Sequence, residues 1–255
     1  MPLSRKRAVE NDWDKAAESW VDFVRHGKDY YREELNNPAT FSLIGDIKGA
    51  TALDLACGEG HNTRILARKG AKVIGVDSSK KLIDYARRSE ATEKLGIAYY
   101  VNDACNLREF QNNYFDLVTC FMALQDIENY EQAVAEAARV LKNKGRFVFS
   151  IPHPCFETLV INGRRVSASQ RYFGVVKYKI DWNMERLSRP FKTVSFHRTL
   201  TDYSNVLFRS KLFVSRLVEP QPTKDGLKRH PRLRQVLLRP QSLILESIKT
   251  HEPII

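Results

Sequence analysis

A glycine-rich turn and three carboxylates mark the first half of the chain. Asp54 is followed by Ala56-Cys57-Gly58-Glu59-Gly60, Asp77 ends the next apolar run, and Asp103-Ala104 follows the one after. A glycine turn lets backbone approach a ligand where a Cβ would collide. An acid at the end of the second run can accept hydrogen bonds from both hydroxyls of a ribose, and a carboxylate after the third can accept from an adenine amino group. For proton transfer the best-placed side chain is His153, in Ile151-Pro152-His153-Pro154-Cys155-Phe156, where flanking prolines stiffen the backbone. It reads either as a general base or as a histidine that holds its own turn. His197 reads more readily as a surface histidine, His61 as a helix-start residue and Cys155 as an inert thiol. Arg32, after Tyr30 and Tyr31, either clamps a ligand carboxylate in bidentate fashion or covers the sheet together with the two tyrosines.

Alternating strands and helices must position these groups. Residues 11–35 carry Trp13, Ala16, Ala17, Trp20, Phe23 and Val24 at helical spacing, and Asn36-Asn37-Pro38 is expected to break that helix. Strands are predicted at Thr51–Leu55, Lys72–Val76, Ile97–Val101, Phe115–Phe121 and Arg146–Ile151. Helices follow the first two strands, the first stopped by Gly70 and the second capped by Ser78 or Ser79, and a third covers 130–142. This rhythm predicts a doubly wound, mostly parallel α/β sheet whose strand ends converge on one crevice. Residues 152–196 lose the rhythm and read as a long insertion or lid. A helix at 201–210 and strands at Leu212–Val218 and Leu243–Ile248 return the chain to the sheet, so 1–255 is expected to be one domain.

Composition narrows the function classes. At 255 residues and 43% hydrophobic, the chain can bury a full core, which excludes disorder. No apolar run approaches the roughly 18 residues of a membrane span, and the basic start leads into no signal peptide, so a cytoplasmic location is expected. Cys57, Cys105, Cys120 and Cys155 form no CxxC, and neither a disulfide framework nor a metal site is expected. Residues 1–154 hold 22 basic and 22 acidic side chains, whereas 155–255 hold 19 and 8, so the whole +11 excess falls in the last part. That asymmetry suits an acidic partner, or simply a solvated basic surface.

In order and spacing, Leu53-Asp54-Leu55-Ala56-Cys57-Gly58-Glu59-Gly60, Asp77, Asp103-Ala104, Phe115-Asp116-Leu117-Val118 and Arg139-Val140-Leu141-Lys142 before Gly145 resemble the motifs of class I S-adenosylmethionine-dependent methyltransferases. The likeness is close over about residues 45–151 and points to the small-molecule, type 11-like branch. It implies a seven-stranded sheet with the last strand antiparallel, and S-adenosylmethionine as cofactor. It also implies roles. Asp54 would orient the turn and meet the methionine amino group. Ala56, Cys57, Gly58 and Gly60 would line the methionyl and ribose face. Asp77 would hold the ribose, Ser78 would flank the adenine, and Asp103 with the Ala104 amide would read its edge. Phe121 would lie near the methionine moiety, and an N-terminal helix bearing Tyr31 and Arg32 would close the pocket. Two departures stand out: Ala56 replaces a frequent Gly, and Asn143-Lys144 replaces the usual Pro-Gly.

A nicotinamide dehydrogenase would need a third glycine where this chain has Thr63. The insertion mixes Arg164, Arg165, Arg171, Lys177, Lys179, Arg186, Arg189, Lys192 and Arg198 with Tyr172, Phe173, Tyr178, Trp182, Phe191 and Phe196. Such a surface suits a small anionic or aromatic substrate first, and RNA second, where rings stack on bases and cations meet phosphates. In-line methyl transfer asks mainly for alignment and a suitable field, with a base needed only for an oxygen or nitrogen acceptor. The acceptor and the oligomeric state are not written in these motifs.

Overall fold

The structure is a computed structural model that describes residues 3–161, 163–183 and 187–250. Arg186 lies outside them. A first helix, α1 (Leu3–Arg25), ends where Gly27 turns to φ 62 and returns its N–H to Val24. A π-helical turn at Arg32–Asn36 then runs directly into α2 (Asn37–Ile44). This corrects the single 11–35 helix: the break falls at Gly27. Pro38 starts α2 without cost, because a first-turn residue has no helical partner for its missing N–H.

The first half of the sheet then alternates: β1 (Thr51–Leu55), α3 (His61–Arg68), β2 (Lys72–Asp77), α4 (Lys80–Glu93), β3 (Ala98–Val101), β4 (Phe115–Phe121), α5 (Tyr130–Val140) and β5 (Leu141–Pro152). Ser79, not Ser78, caps α4, accepting from the Leu82 N–H. The expected structureless insertion is two hairpins. One joins β6 (Thr158–Ile161) to β7 (Arg164–Ser167). The other joins β8 (Val176–Trp182) to β9 (Phe191–His197), paired from Val176 with His197 to Trp182 with Phe191. Thr193 to His197 are all buried. A strand covered on both faces loses the two-residue alternation by which strands are read. The chain closes with α6 (Leu200–Arg209), β10 (Leu212–Val218), α7 (Lys224–Arg229) and β11 (Ser242–Lys249).

The main sheet has seven strands in the order β10-β11-β5-β4-β1-β2-β3. β1 to β5 are parallel, and the last strand, β11, is antiparallel to both of its neighbours. Side chains alternate across the sheet. Leu53, Val118, Phe147 and Phe149 pack with α5 and α6, while Ala52, Val73, Leu117 and Val148 pack with α2, α3 and α4. Each buried Leu, Val or Phe contributes about 1.5–3 kcal/mol relative to exposure. The strand order reverses between β1 and β4, so the loops after these strands open one crevice.

Candidate functional site

Asp54 lies at the floor of that crevice. It is 1% exposed and accepts hydrogen bonds from Thr63 of α3 at 2.6 Å and Thr119 of β4 at 2.8 Å. Burial pushes its pKa up to about 7, the two hydroxyls hold it down, and the charge of Asp77 adds to the rise. Above it, the turn takes left-handed backbone at Ala56 (φ 51), Gly58 (φ 59) and Gly60 (φ 81). Ala56 therefore occupies a conformation natural to the glycine it replaces. Asp77 ties this turn to the next loop: its Oδ2 accepts from the Gly58 N–H and its Oδ1 from the Ser79 N–H, both at 2.8 Å. Half-buried Ser78 stands between Asp77 and Ser79. Asp103 accepts the Cys105 N–H at 2.8 Å, which shapes the turn that presents half-buried Ala104. Half-buried Phe121, at the end of β4, packs on Phe41 with ring centroids 5.5 Å apart. The Cys57 thiol is kept neutral by burial and by the neighbouring carboxylates.

Sequence reading missed Tyr99. Its ring spans the turn: a Cβ at Gly60 would collide with the Tyr99 hydroxyl, and one at Gly75 would come within 2.8 Å of the ring. The signal was Gly75, since a glycine inside a strand marks a close approach. Glu59 was also missed. It is 2% exposed, pairs with Arg64 at 3.0 Å, and binds Arg25 of α1 at 3.4 Å. Asp14 of α1 accepts from the Ser79 hydroxyl at 2.6 Å. The first helix is thus latched to the loops after β1 and β2.

The N-terminal candidates face local partners. The Tyr31 hydroxyl accepts from Gln235 at 2.6 Å, and Tyr30 stacks on His230 at 5.1 Å. The Arg32 guanidinium donates to Glu33 and to the Val24 carbonyl. Glu33 also approaches His61 Nε2 at 3.4 Å, but no ion pair holds there. Burial and the charges of Arg32, Arg64 and Arg68 depress the His61 pKa to about 3, leaving the ring neutral. His153, 4% exposed, has both ring nitrogens engaged: Nδ1 accepts the Cys155 N–H at 3.2 Å, so Nε2 carries the proton toward Glu219 at 2.9 Å.

His197 corrects the surface reading. It is fully buried, with Nδ1 2.5 Å from Glu157 and Nε2 2.8 Å from the Tyr172 carbonyl. Burial alone would lower its pKa, but the Glu157 hydrogen bond, the Tyr172 carbonyl and the Glu157 charge outweigh it and raise it. Arg198 is likewise withdrawn from any lid surface. It is 2% exposed, donates to the carbonyls of Leu124, Ile127 and Glu128, and lies 4.0 Å over the Tyr130 ring. Among the other insertion cations, Lys177 pairs with Glu128, Lys192 with Asp181 and Arg189 with Glu18, while Arg164, Arg165, Arg171 and Lys179 are exposed.

The turn that Arg198 holds contains Gln125 and Asp126, neither of which stood out in the sequence. Burial pushes Asp126 up to about 7, opposed by Ser195, Arg198 and Trp13 and supported by the charge of Glu157. Trp13 packs against Trp20, Trp182 and Phe191 at 5.6, 6.4 and 6.2 Å, forming a half-buried aromatic roof shared by α1 and the β8–β9 hairpin.

A methyltransferase-domain family model matches residues 53–149. A structure described as an S-adenosylmethionine-dependent methyltransferase from Mesorhizobium loti is 29% identical with a TM-score of 0.68, over 83% of this chain and 96% of that one. An uncharacterized protein of Haemophilus influenzae is 27% identical over 86% of this chain and 89% of its own length. A ubiquinone biosynthesis O-methyltransferase of Alkalilimnicola ehrlichii is 30% identical over 54% of this chain, which spans 56% of that relative. The motifs expected from the sequence fall inside the matched segment, on the strand ends where this fold binds its ligands, so residues 53–149 form a methyltransferase domain of the type 11 branch, in a chain similar over most of its length to an S-adenosylmethionine-dependent methyltransferase.

Proposed function

We propose that the chain acts in the cytoplasm as one domain, transferring the methyl group of S-adenosylmethionine to a small aromatic molecule held beneath the tryptophan roof. The described cysteines form no disulfide, which suits that reducing compartment. No helix of the described residues is long and apolar enough to cross a membrane. The observation that carries the cofactor reading is the cradle tied together by Asp77. A Cβ built at Gly58 would meet no protein atom within 4 Å, so the turn faces open space. Asp54, buried with a pKa near 7, suits a cationic ligand that would draw off its proton.

The cofactor supplies an activated methyl group for in-line displacement. Asp54 would then face its amino group, and Ala56, Cys57, Gly58 and Gly60 its methionyl and ribose parts. Asp77 would accept from the ribose hydroxyls, Ser78 would flank the adenine, and Asp103 with the Ala104 amide would read its edge. Phe121 would cover the methionine moiety. For Arg32 to clamp the carboxylate, it would exchange Glu33 for the ligand, with Tyr31 staying on Gln235. His153, with both nitrogens engaged, serves its turn in this reading. We favour an aromatic over an anionic acceptor, because Lys177, Lys192, Arg189 and Arg198 are already engaged within the protein.

Calorimetry with S-adenosylmethionine, its demethylated product and NAD tests the cofactor. Binding of NAD alone would sink the reading. Transfer of labelled methyl into metabolite extracts and bulk RNA, with nuclease-treated controls, tests the acceptor. A second reading, RNA methylation, draws on exposed Lys224, Lys228, Arg229, Arg232, Arg234 and Arg239 in the segment around α7. It expects RNA binding to weaken about a thousandfold between about 50 and 200 mM salt, the scale of six or more phosphate contacts.

A further inference from the structure

We propose that Asp126, with Ser195 and Gln125 beside it, receives a hydroxyl group of the methyl acceptor and takes its proton during transfer. This rests on the methyltransferase reading above. Asp126 ends the short turn Leu124–Asp126 just after β4, at the carboxyl edge of the sheet. That turn opens into the same crevice as Asp54, because β4 runs parallel to and beside β1.

Three buried polar atoms here have no hydrogen-bond partner: Asp126 Oδ1, Ser195 Oγ and Gln125 Oε1, in residues 8%, 0% and 7% exposed. Ser195 and Trp13 stand close enough to Asp126 to hold its pKa down, yet Oδ1 accepts from neither. The amide of Gln125 donates to the Met122 carbonyl at 2.7 Å, which leaves only its oxygen to offer. Buried polar atoms are nearly always paired, and exceptions on one turn and the strand packed against it mark a place where a ligand supplies the partners. With Asp126 ionised, two of the three can only accept and the third can do either, so the ligand must bring donors, and an anionic group is repelled.

The turn is built to stay put. Met122 holds a left-handed φ of 47 while its N–H meets the carbonyl and the hydroxyl of Ser150, and Arg198 grips the carbonyls of residues 124, 127 and 128. Strain sustained in this way is typical of functional sites. Trp13 joins Asp126 to the aromatic roof, so a flat ring beneath the roof could present its hydroxyl to the carboxylate.

In the transfer, the acceptor oxygen forms its bond to the methyl carbon while the carbon–sulfur bond breaks and its electron pair stays on sulfur. The O–H proton passes to the Asp126 carboxylate. The groups around that carboxylate suit the task. Arg198 favours its charge, Glu157 opposes it but is paired with His197, Cys120 and Tyr178 are held neutral by burial, and Lys177 is occupied by Glu128.

The three tryptophans of the chain all belong to the roof, so intrinsic fluorescence reads this site directly. With the demethylated cofactor bound, catechol is expected to quench the wild type saturably, while benzoate and benzylamine do not. Methyl transfer from labelled cofactor to catechol should rise with pH through about 7. Asp126→Asn should lower that rate by about 100-fold or more and flatten the pH profile, with cofactor affinity unchanged. Ser195→Ala should raise the catechol constant and leave the cofactor constant alone. Quenching by benzoate or benzylamine instead, no quenching by catechol, or an Asp126→Asn enzyme with wild-type rate and profile would overturn the proposal. A wild type that binds no cofactor in calorimetry defeats the methyltransferase reading itself, whereas cofactor binding without catechol binding defeats only this inference.

Discussion

The two sides of the crevice are finished to different degrees. On the cofactor side the polar groups are matched within the protein: Asp54 by Thr63 and Thr119, Asp77 by the Gly58 and Ser79 amides, Asp103 by the Cys105 amide. On the acceptor side, Asp126, Ser195 and Gln125 are just as buried and each keeps an unmatched atom. The first arrangement is a pre-shaped cradle whose loops are fixed before the ligand arrives. In the second, the ligand completes the hydrogen bonding, so stability is conceded for recognition. The contrast also runs through the chain. The cradle comes from strand-to-helix turns between residues 54 and 105, while the roof joins α1, the turn after β4 and a hairpin near residue 195.

Removing a buried group from each side should therefore do different things. The largest effect is expected at Arg198, the anchor of the acceptor side. Arg198→Ala leaves three carbonyls and Asp126 without their cation and should cost about 3–5 kcal/mol of stability, read as a lower urea midpoint. A loss under about 1 kcal/mol would mean that the turn is held by other contacts. Next is Gly60→Ala, where a left-handed φ and the Tyr99 hydroxyl combine to cost about 2–4 kcal/mol. Adding Tyr99→Phe should recover part of that loss, because the hydroxyl is the nearest colliding atom. Asp77→Ala should weaken cofactor binding by about 1–3 kcal/mol in calorimetry. A neutral result would remove the central assignment of the cradle.

Smaller effects sharpen the same contrast. The folded pKa of Asp54, about 7, lies above the ordinary 3.8, so the protonated form is preferred in the native protein without cofactor. The stability it confers is greatest at low pH and is lost as pH rises from about 4 to 7. A cationic cofactor prefers the ionised form, so affinity should rise over that window in the wild type and stay flat in Asp54→Asn, as calorimetry at several pH values would show. The smallest change is expected at Lys144, which takes φ 65 where the family pattern has glycine. Lys144→Gly should raise the thermal midpoint, with a gain of no more than about 1 kcal/mol, because relief of left-handed strain is partly offset by a freer unfolded chain.

Much of the cradle could be read in advance because its parts are local. A strand, a glycine turn and a helix follow one another in sequence, and steric rules at Gly58 or a cap at Ser79 act over a few residues. The alternation through β5 and the return after the insertion were legible for the same reason, whereas the antiparallel last strand was expected only from the family resemblance. The acceptor side was not. Asp126 looked like one more acid before a helix until Arg198, 72 positions later, was seen to grip its turn, and His197 looked exposed until Glu157 was placed against it. Burial of a polar side chain depends on what packs over it from distant segments, and β9, covered on both faces, carries no periodic sign of that cover. The sequence by itself determined the glycine turn and the carboxylates that end the first strands. Which buried carboxylate faces the acceptor was decided only when α1, the β4 turn and the hairpin closed together, because desolvation and missing partners are properties of the packed assembly and of no single segment.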